Sequence, residues 1–120
     1  MLVAERVVNR LIAKAGKEVE STLMPTYVSL INWTDQGIRN VKEALDRASR
    51  AEDLMQKYGG RLERLYWTVG PYDIVAIAEA PDDESGTAFL LELGSLGDVR
   101  TTTLRAYDCE EMSSILGRLG

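Results

Sequence analysis

The stretch Gly70-Pro71-Tyr72-Asp73 constrains this chain more than any other. It joins two apolar runs, Leu62–Val69 and Ile74–Ala80, which makes it the turn of a hairpin. Gly70 can take a positive φ, and Pro71 stiffens the loop by fixing its own. The Asp73 carboxylate can accept backbone N–H groups across the turn, and the Tyr72 ring can lie over the hairpin mouth. Folding alone accounts for all four residue types.

The other elements fall in order around this hairpin. Residues 2–15 carry Val3, Val7, Val8, Leu11, Ile12 and Ala15 on one helical face and Glu5, Arg6, Asn9 and Arg10 on the other. Residues 1–23 therefore read as an N-terminal amphipathic helix and linker, with charges too early for a secretory segment. Thr26–Trp33 is the first strand. Thr34 caps a long helix expected from Asp35 to Tyr58, with Ile38, Val41, Leu45, Ala48, Met55 and Tyr58 as its buried stripe. Glu43–Arg47 and Asp46–Arg50 read as exposed ion pairs on its far side. Gly59-Gly60 ends it with a left-handed cap. Arg61–Val69 is a second strand whose charges suit a sheet edge. Ile74–Ala80 is apolar on both faces and should be central. Asp82 caps a second helix whose apolar side holds Ala88, Phe89 and Leu91, and Gly94 to Gly97 ends it. Asp98–Asp108 is the fourth strand, and Asp108 with Glu111 forms a capping box before a short helix over residues 109–120.

The order is βαββαβ. Right-handed crossovers put both helices on one face of a four-stranded antiparallel sheet, a ferredoxin-like α+β arrangement spanning residues 24–108. Strands one and three sit in the middle. The opposite face is expected to carry Tyr27, Ser29, Ile31 and Trp33 from the first strand, and Val99, Thr101, Thr103, Arg105 and Tyr107 from the fourth. A face so apolar and aromatic calls for a second copy, so the chain is expected to form a homodimer or a higher homo-oligomer.

Composition narrows the function classes. With 120 residues the chain suits one domain with one core. Its net charge of -5 repels nucleic-acid phosphates and anionic membrane surfaces alike. No apolar run approaches the roughly 20 residues of a membrane span. One cysteine, Cys109, leaves no intramolecular disulfide and fits a reducing cytoplasm. The chain has no histidine, which excludes a Ser-His-Asp triad, a Cys-His pair and any His-ligated metal. No cofactor or metal is expected. Asp82-Asp83-Glu84 is better explained as a helix N-terminus than as a cation site. Gly94-Ser95-Leu96-Gly97 follows a helix and lacks the lysine of a phosphate loop.

Several segments together resemble the GYD domain family. They are Thr68–Ile77 with its Gly-Pro-Tyr-Asp turn, Glu79–Asp83, and the run Leu93–Ala106, which reads LGSLGDVRTTTLRA. The similarity also takes in Met24–Trp33 and the long helix. It covers about residues 25–107. Pro71 is the single residue between the glycine and the Tyr-Asp pair. The resemblance implies a ferredoxin-like fold of the dimeric α/β barrel kind and carries no established activity.

The sequence therefore reads as a homo-oligomeric small-ligand-binding or structural module. The candidate ligand-contacting residues are Trp33, Trp67, Tyr72 and Asp73. The alternative is a cofactor-independent enzyme, oxygenase- or isomerase-like, acting on a small organic molecule. In that case Asp73 would be the base, Tyr72 a donor and Arg105 a clamp for an anionic group.

Overall fold

A computed structural model describes residues 24–120. The amphipathic helix and linker read in residues 1–23 lie outside the described residues.

Four strands, β1 (Thr26–Trp33), β2 (Arg61–Trp67), β3 (Ile74–Glu79) and β4 (Val99–Ala106), form one antiparallel sheet in the order β2-β3-β1-β4. β1 and β3 are central and β2 and β4 are edges, as the ferredoxin-like βαββαβ order requires. α1 (Asp35–Arg39) and α2 (Ala44–Lys57) connect β1 to β2, and α3 (Asp83–Ser95) connects β3 to β4. α4 (Cys109–Leu116) follows β4, and its N-terminus carries the full capping box between Asp108 and Glu111.

The expected long helix is divided. α1 ends at Asn40, whose backbone N–H and side-chain Nδ2 both donate to the Gln36 carbonyl. A 3-10 turn, Val41–Glu43, precedes α2. The division follows from a clamp on the first turn. Thr34 N–H donates to the Asp98 carbonyl and Thr34 Oγ1 to that of Gly97. Gly37 is buried so close to this strand entry that a Cβ there would collide with the Asp98 carbonyl oxygen. α1 thus follows the loop at residues 96–98, while α2 follows the sheet. The division also removes Ile38, Val41 and Leu45 from the expected buried stripe, since all three are exposed. Buried or half-buried positions are Ala44, Arg47, Ala48, Ala51, Leu54, Met55 and Tyr58. On α3 the inward residues are Phe89, Leu90 and Leu93, and Leu91 faces outward.

The core lies between the helices and one sheet face. Ile31, Ile74 and Ala76 form one buried cluster with Trp33, Leu62, Leu65 and Val99. Met55, Ala78 and Phe89 form a second with Leu54, Tyr58, Leu90 and Leu93. This corrects the expected faces. The register pairs Ile31 with Ile74 and Thr101, and Ser29 with Ala76 and Thr103. Tyr27, Ser29, Ile31 and Trp33, with Val99, Thr101, Thr103 and Arg105, therefore face the helices. The helix-free face carries Val28, Leu30, Val75, Ile77, Thr102 and Leu104 instead. A period of two leaves such a choice open until partner strands are known, because one step exchanges the faces. β2 needs one more adjustment. A bulge at Glu63 shifts the register between Leu62 and Arg64, so Leu62 and Leu65 both point inward. Its ladder ends at Trp67, two residues earlier than expected.

At the end of β3 sits a buried carboxylate, Glu79, 6% exposed. Arg61 Nη2 donates to its Oε1 at 2.9 Å, while its Oε2 has no hydrogen-bond partner. Burial, with Glu63 nearby, raises its pKa above the ordinary 4.5 despite Arg61. The folded state therefore binds this proton more tightly than the unfolded chain. The resulting stabilisation is complete below the unfolded value and is lost as pH rises through the folded one. We expect wild type to lose stability relative to Glu79→Gln as pH rises from 4.5 through that window, measured by urea unfolding at a series of pH values. A pH-independent difference would refute the assignment.

Candidate functional site

The Gly-Pro-Tyr-Asp turn is a clasp between the hairpin and β1. Gly70 has φ 139, a conformation that L side chains rarely adopt. Past it, the Asp73 N–H donates to the Ile31 carbonyl at 2.8 Å, and the Asp73 carbonyl accepts from Thr68 N–H at 2.8 Å. The Asp73 carboxylate accepts the Trp33 N–H at 2.8 Å through Oδ2. Thr68 Oγ1 donates to the Tyr72 carbonyl, and Asn32 Nδ2 to that of Pro71. Asp73 thus continues the β1–β3 ladder with its side chain where the backbone turns away.

Arg105 lies at the other end of the sheet, opposite Tyr27. The Trp33 and Tyr27 ends of β1 are roughly 20 Å apart at the usual strand rise. The structure therefore does not bring Tyr72, Asp73 and Arg105 together. Arg105 stacks over the Tyr107 ring at 4.5 Å, pairs with Glu111 at 3.3 Å and donates to the Thr26 and Ala106 carbonyls. It borders a cleft of about 290 Å³ with Tyr27, Asp83, Gly86, Phe89 and Thr103. The Tyr27 hydroxyl donates to Asp83, and burial together with that bond pushes its pKa up to about 12.

A second cleft, of about 320 Å³, opens between α2 and the sheet near the clasp. Both tryptophans of the chain, Trp33 and Trp67, line it. Ile31, Leu54, Leu65, Ile74, Leu93 and Val99 supply most of the remaining wall. α2 presents Ala44, Ala48 and Ala51 there, a stripe at helical spacing too small to fill the space. The polar exceptions are Arg47, Arg50 and Asp98. Arg47 crosses the Trp33 ring at 4.9 Å, and its Nη2 donates to the Gly37 and Asn40 carbonyls where α1 ends. Its charge partner is Asp98 at 3.3 Å. Neither Glu43–Arg47 nor Asp46–Arg50 is among the ion pairs formed by the described residues.

Of the candidate ligand-contacting residues, Trp33 and Trp67 share this cleft. Tyr72 and Asp73 are not among the residues lining it, though Asp73 holds Trp33 by its backbone. Sequence reasoning passed over Arg47, the alanine stripe and Asp98. The alanine spacing was the one available signal. Among the described residues no group of three or more acidic or cysteine side chains is placed to hold a metal, and no helix is long and apolar enough to cross a membrane.

The GYD domain profile matches residues 27–116, and the chain belongs to the GYD domain family. A Thermus thermophilus protein named glutamine synthetase and cystathionine beta-lyase binding protein is 34% identical over 90 residues, covering 74% of this chain and 95% of that one. A feast or famine regulatory protein from M. tuberculosis, complexed with L-methionine, superposes with a TM-score of 0.57 at 15% identity. The match covers 88% of this chain and 71% of that one. MtbAldR superposes with a TM-score of 0.56 at 15% identity, covering 83% and 66%. At such identity the two structures establish the ferredoxin-like fold and nothing further.

The clasp makes a direct prediction. Asp73→Ala leaves the half-buried Trp33 N–H without its acceptor and should cost about 1–3 kcal/mol, whereas Asp73→Asn, which keeps an acceptor oxygen, should cost less. Urea unfolding of the three proteins gives the comparison. Equal stability of wild type and the alanine variant would remove the clasp role.

Proposed function

We propose that this chain is a homo-oligomeric small-ligand-binding module of the cytoplasm, with no chemistry performed at the Gly70–Asp73 turn. One observation carries the reading: a mostly apolar cleft of about 320 Å³, walled by both tryptophans, lies beside a turn whose polar atoms are engaged by backbone. Small-molecule sites are typically apolar hollows of ~300–1,000 Å³ with a few placed polar groups, and this one falls at the small end. The name of the Thermus relative describes a binding protein, which also favours binding over catalysis. The alternative, a cofactor-independent oxygenase- or isomerase-like enzyme using Tyr72, Asp73 and Arg105, has less support. It needs the Asp73 carboxylate free and Arg105 nearby.

The test is a neutral solvatochromic dye, Nile red, titrated into the full chain. Trp33 and Trp67 are the only tryptophans, so energy transfer from them reports occupancy. We expect saturable binding of one dye per chain. Ala48→Phe, which fills the cleft from α2, should weaken it by at least about tenfold, or ~1.4 kcal/mol. Non-saturable binding, or binding indifferent to this substitution, would overturn the reading.

Homo-oligomerisation is supported by the helix-free sheet face. Val28, Leu30, Val75 and Ile77 form its centre, with Tyr66 and Leu104 exposed beside them. Monomers rarely leave a contiguous apolar patch beyond roughly 300–600 Å² in water. A second copy placed face to face about a two-fold axis covers it and makes the dimeric α/β barrel. Light scattering at micromolar concentration should give a dimer mass or a multiple of it. Leu104→Glu should shift the protein to monomer, and a wild-type monomer would sink the assembly proposal.

A further inference from the structure

We propose that the apolar stripe of α4 is a docking surface for residues 2–15 of the same chain. Met112, Ile115, Leu116 and Leu119 recur at helical spacing along α4 and the 3-10 turn that extends it, Gly117–Leu119. Met112, Leu116 and Leu119 are exposed, and no residue of α4 is buried. The polar fastenings of α4 among the described residues lie in its first turn, in the Asp108–Glu111 capping box and the Arg105–Glu111 ion pair. An eight-residue helix forms too few hydrogen bonds to persist in water without packing of its apolar side.

The occupant follows from where the chain enters the sheet. The Pro25 carbonyl accepts the Ala80 N–H, and Thr26 pairs with Ala106, three residues before α4 begins. Arg105 ties the two places together, donating to the Thr26 carbonyl at 3.3 Å and pairing with Glu111 of α4. Residues 1–23 therefore join the domain beside the base of α4. The seven linker residues Lys17–Leu23 can span roughly 23–25 Å. α4 and its 3-10 turn rise about 18 Å, so the whole stripe is within reach. Residues 2–15 bring the matching pattern, Val3, Val7, Val8, Leu11, Ile12 and Ala15, in a stretch that is itself marginal as an isolated helix. Charge agrees. Arg6, Arg10 and Lys14, four apart, run along one edge of that apolar pattern against a single acid, Glu5, in a chain whose net charge is -5. α4 carries Glu110 and Glu111 and no basic residue. A second copy is the poorer occupant: four apolar side chains fall well short of the roughly 800 Å² that each partner buries in a standard interface. A tethered segment needs far less, because its effective concentration is on the order of millimolar.

Hydrogen exchange on the full chain tests this. Amides of residues 2–15 should exchange at least about tenfold more slowly than in a synthetic peptide of residues 1–23. Leu116→Glu should return them to the peptide rate while β1 amides keep theirs. Leu11→Glu gives the reciprocal reading and should lower protection in α4, so the test survives even if Leu116→Glu disturbs that helix. Peptide-like exchange in wild type, or protection of residues 2–15 indifferent to both substitutions, would overturn the proposal. A nitroxide on Ser113→Cys, in a Cys109→Ser background, separates this chain from a neighbour. We expect it to broaden the signals of residues 2–15 within the labelled chain. Broadening confined to unlabelled chains mixed with it would assign the segment to a second copy and defeat the same-chain docking.

Discussion

The register of β1 between β3 and β4 is the constraint on which the rest depends. Eight residues of β1 face β4, and six face β3. Because strand side chains alternate, this register decides at once which residues meet helices and which meet whatever covers the other face. The family's turn holds the register at one end. Asp73 contributes its N–H to Ile31 and its carboxylate to Trp33 N–H, so strand pairing is maintained by a side chain just where the hairpin leaves the sheet. Gly70 is the residue that allows the chain to arrive there, through a backbone angle other residues avoid.

The cleft arises from two local departures from regular packing. α1 is drawn onto the loop at residues 96–98, where Gly37 leaves room for the Asp98 carbonyl. The helix must then break before α2 can follow the sheet. At the break Arg47 reaches back to the carbonyls of Gly37 and Asn40, the latter shared with the Glu43 N–H of the 3-10 turn. An arginine that would have pointed to water is thereby drawn under the helix. On the same side α2 offers Ala44, Ala48 and Ala51, whose methyl groups cannot span the distance to Leu65 and Ile74. A hollow with an aromatic wall and one buried cation is the result.

Much of the architecture was legible beforehand. The element order, the hairpin, the central place of β3, the N-caps at Thr34 and Asp82 and the capping box at Asp108 all have local causes that a sequence displays. The errors share another origin. Glu43 and Arg47 have the spacing of a surface pair, and Ile38, Val41 and Leu45 have the spacing of a buried stripe. Both readings assume an unbroken helix, and the break comes from contacts with residues some 60 positions later, such as Gln36 Nε2 with the Leu96 carbonyl and the Asp98 carboxylate. The β2 bulge misplaces faces in the same manner, although Leu62 and Leu65, three apart in a strand, were a sign of it.

Sequence alone determined the βαββαβ order, the family and the apolar character of both sheet faces, since these follow from periodicity, turn chemistry and side-chain type. Tertiary structure decided which face each residue occupies, that Asp73 serves the backbone, and that Arg47 lies beneath α2 beside Trp33. The physical reason is one of range. Propensity and capping act within a few residues along the chain, whereas register, helix breaks and unfilled volume are set by partners that become neighbours only after the sheet has formed.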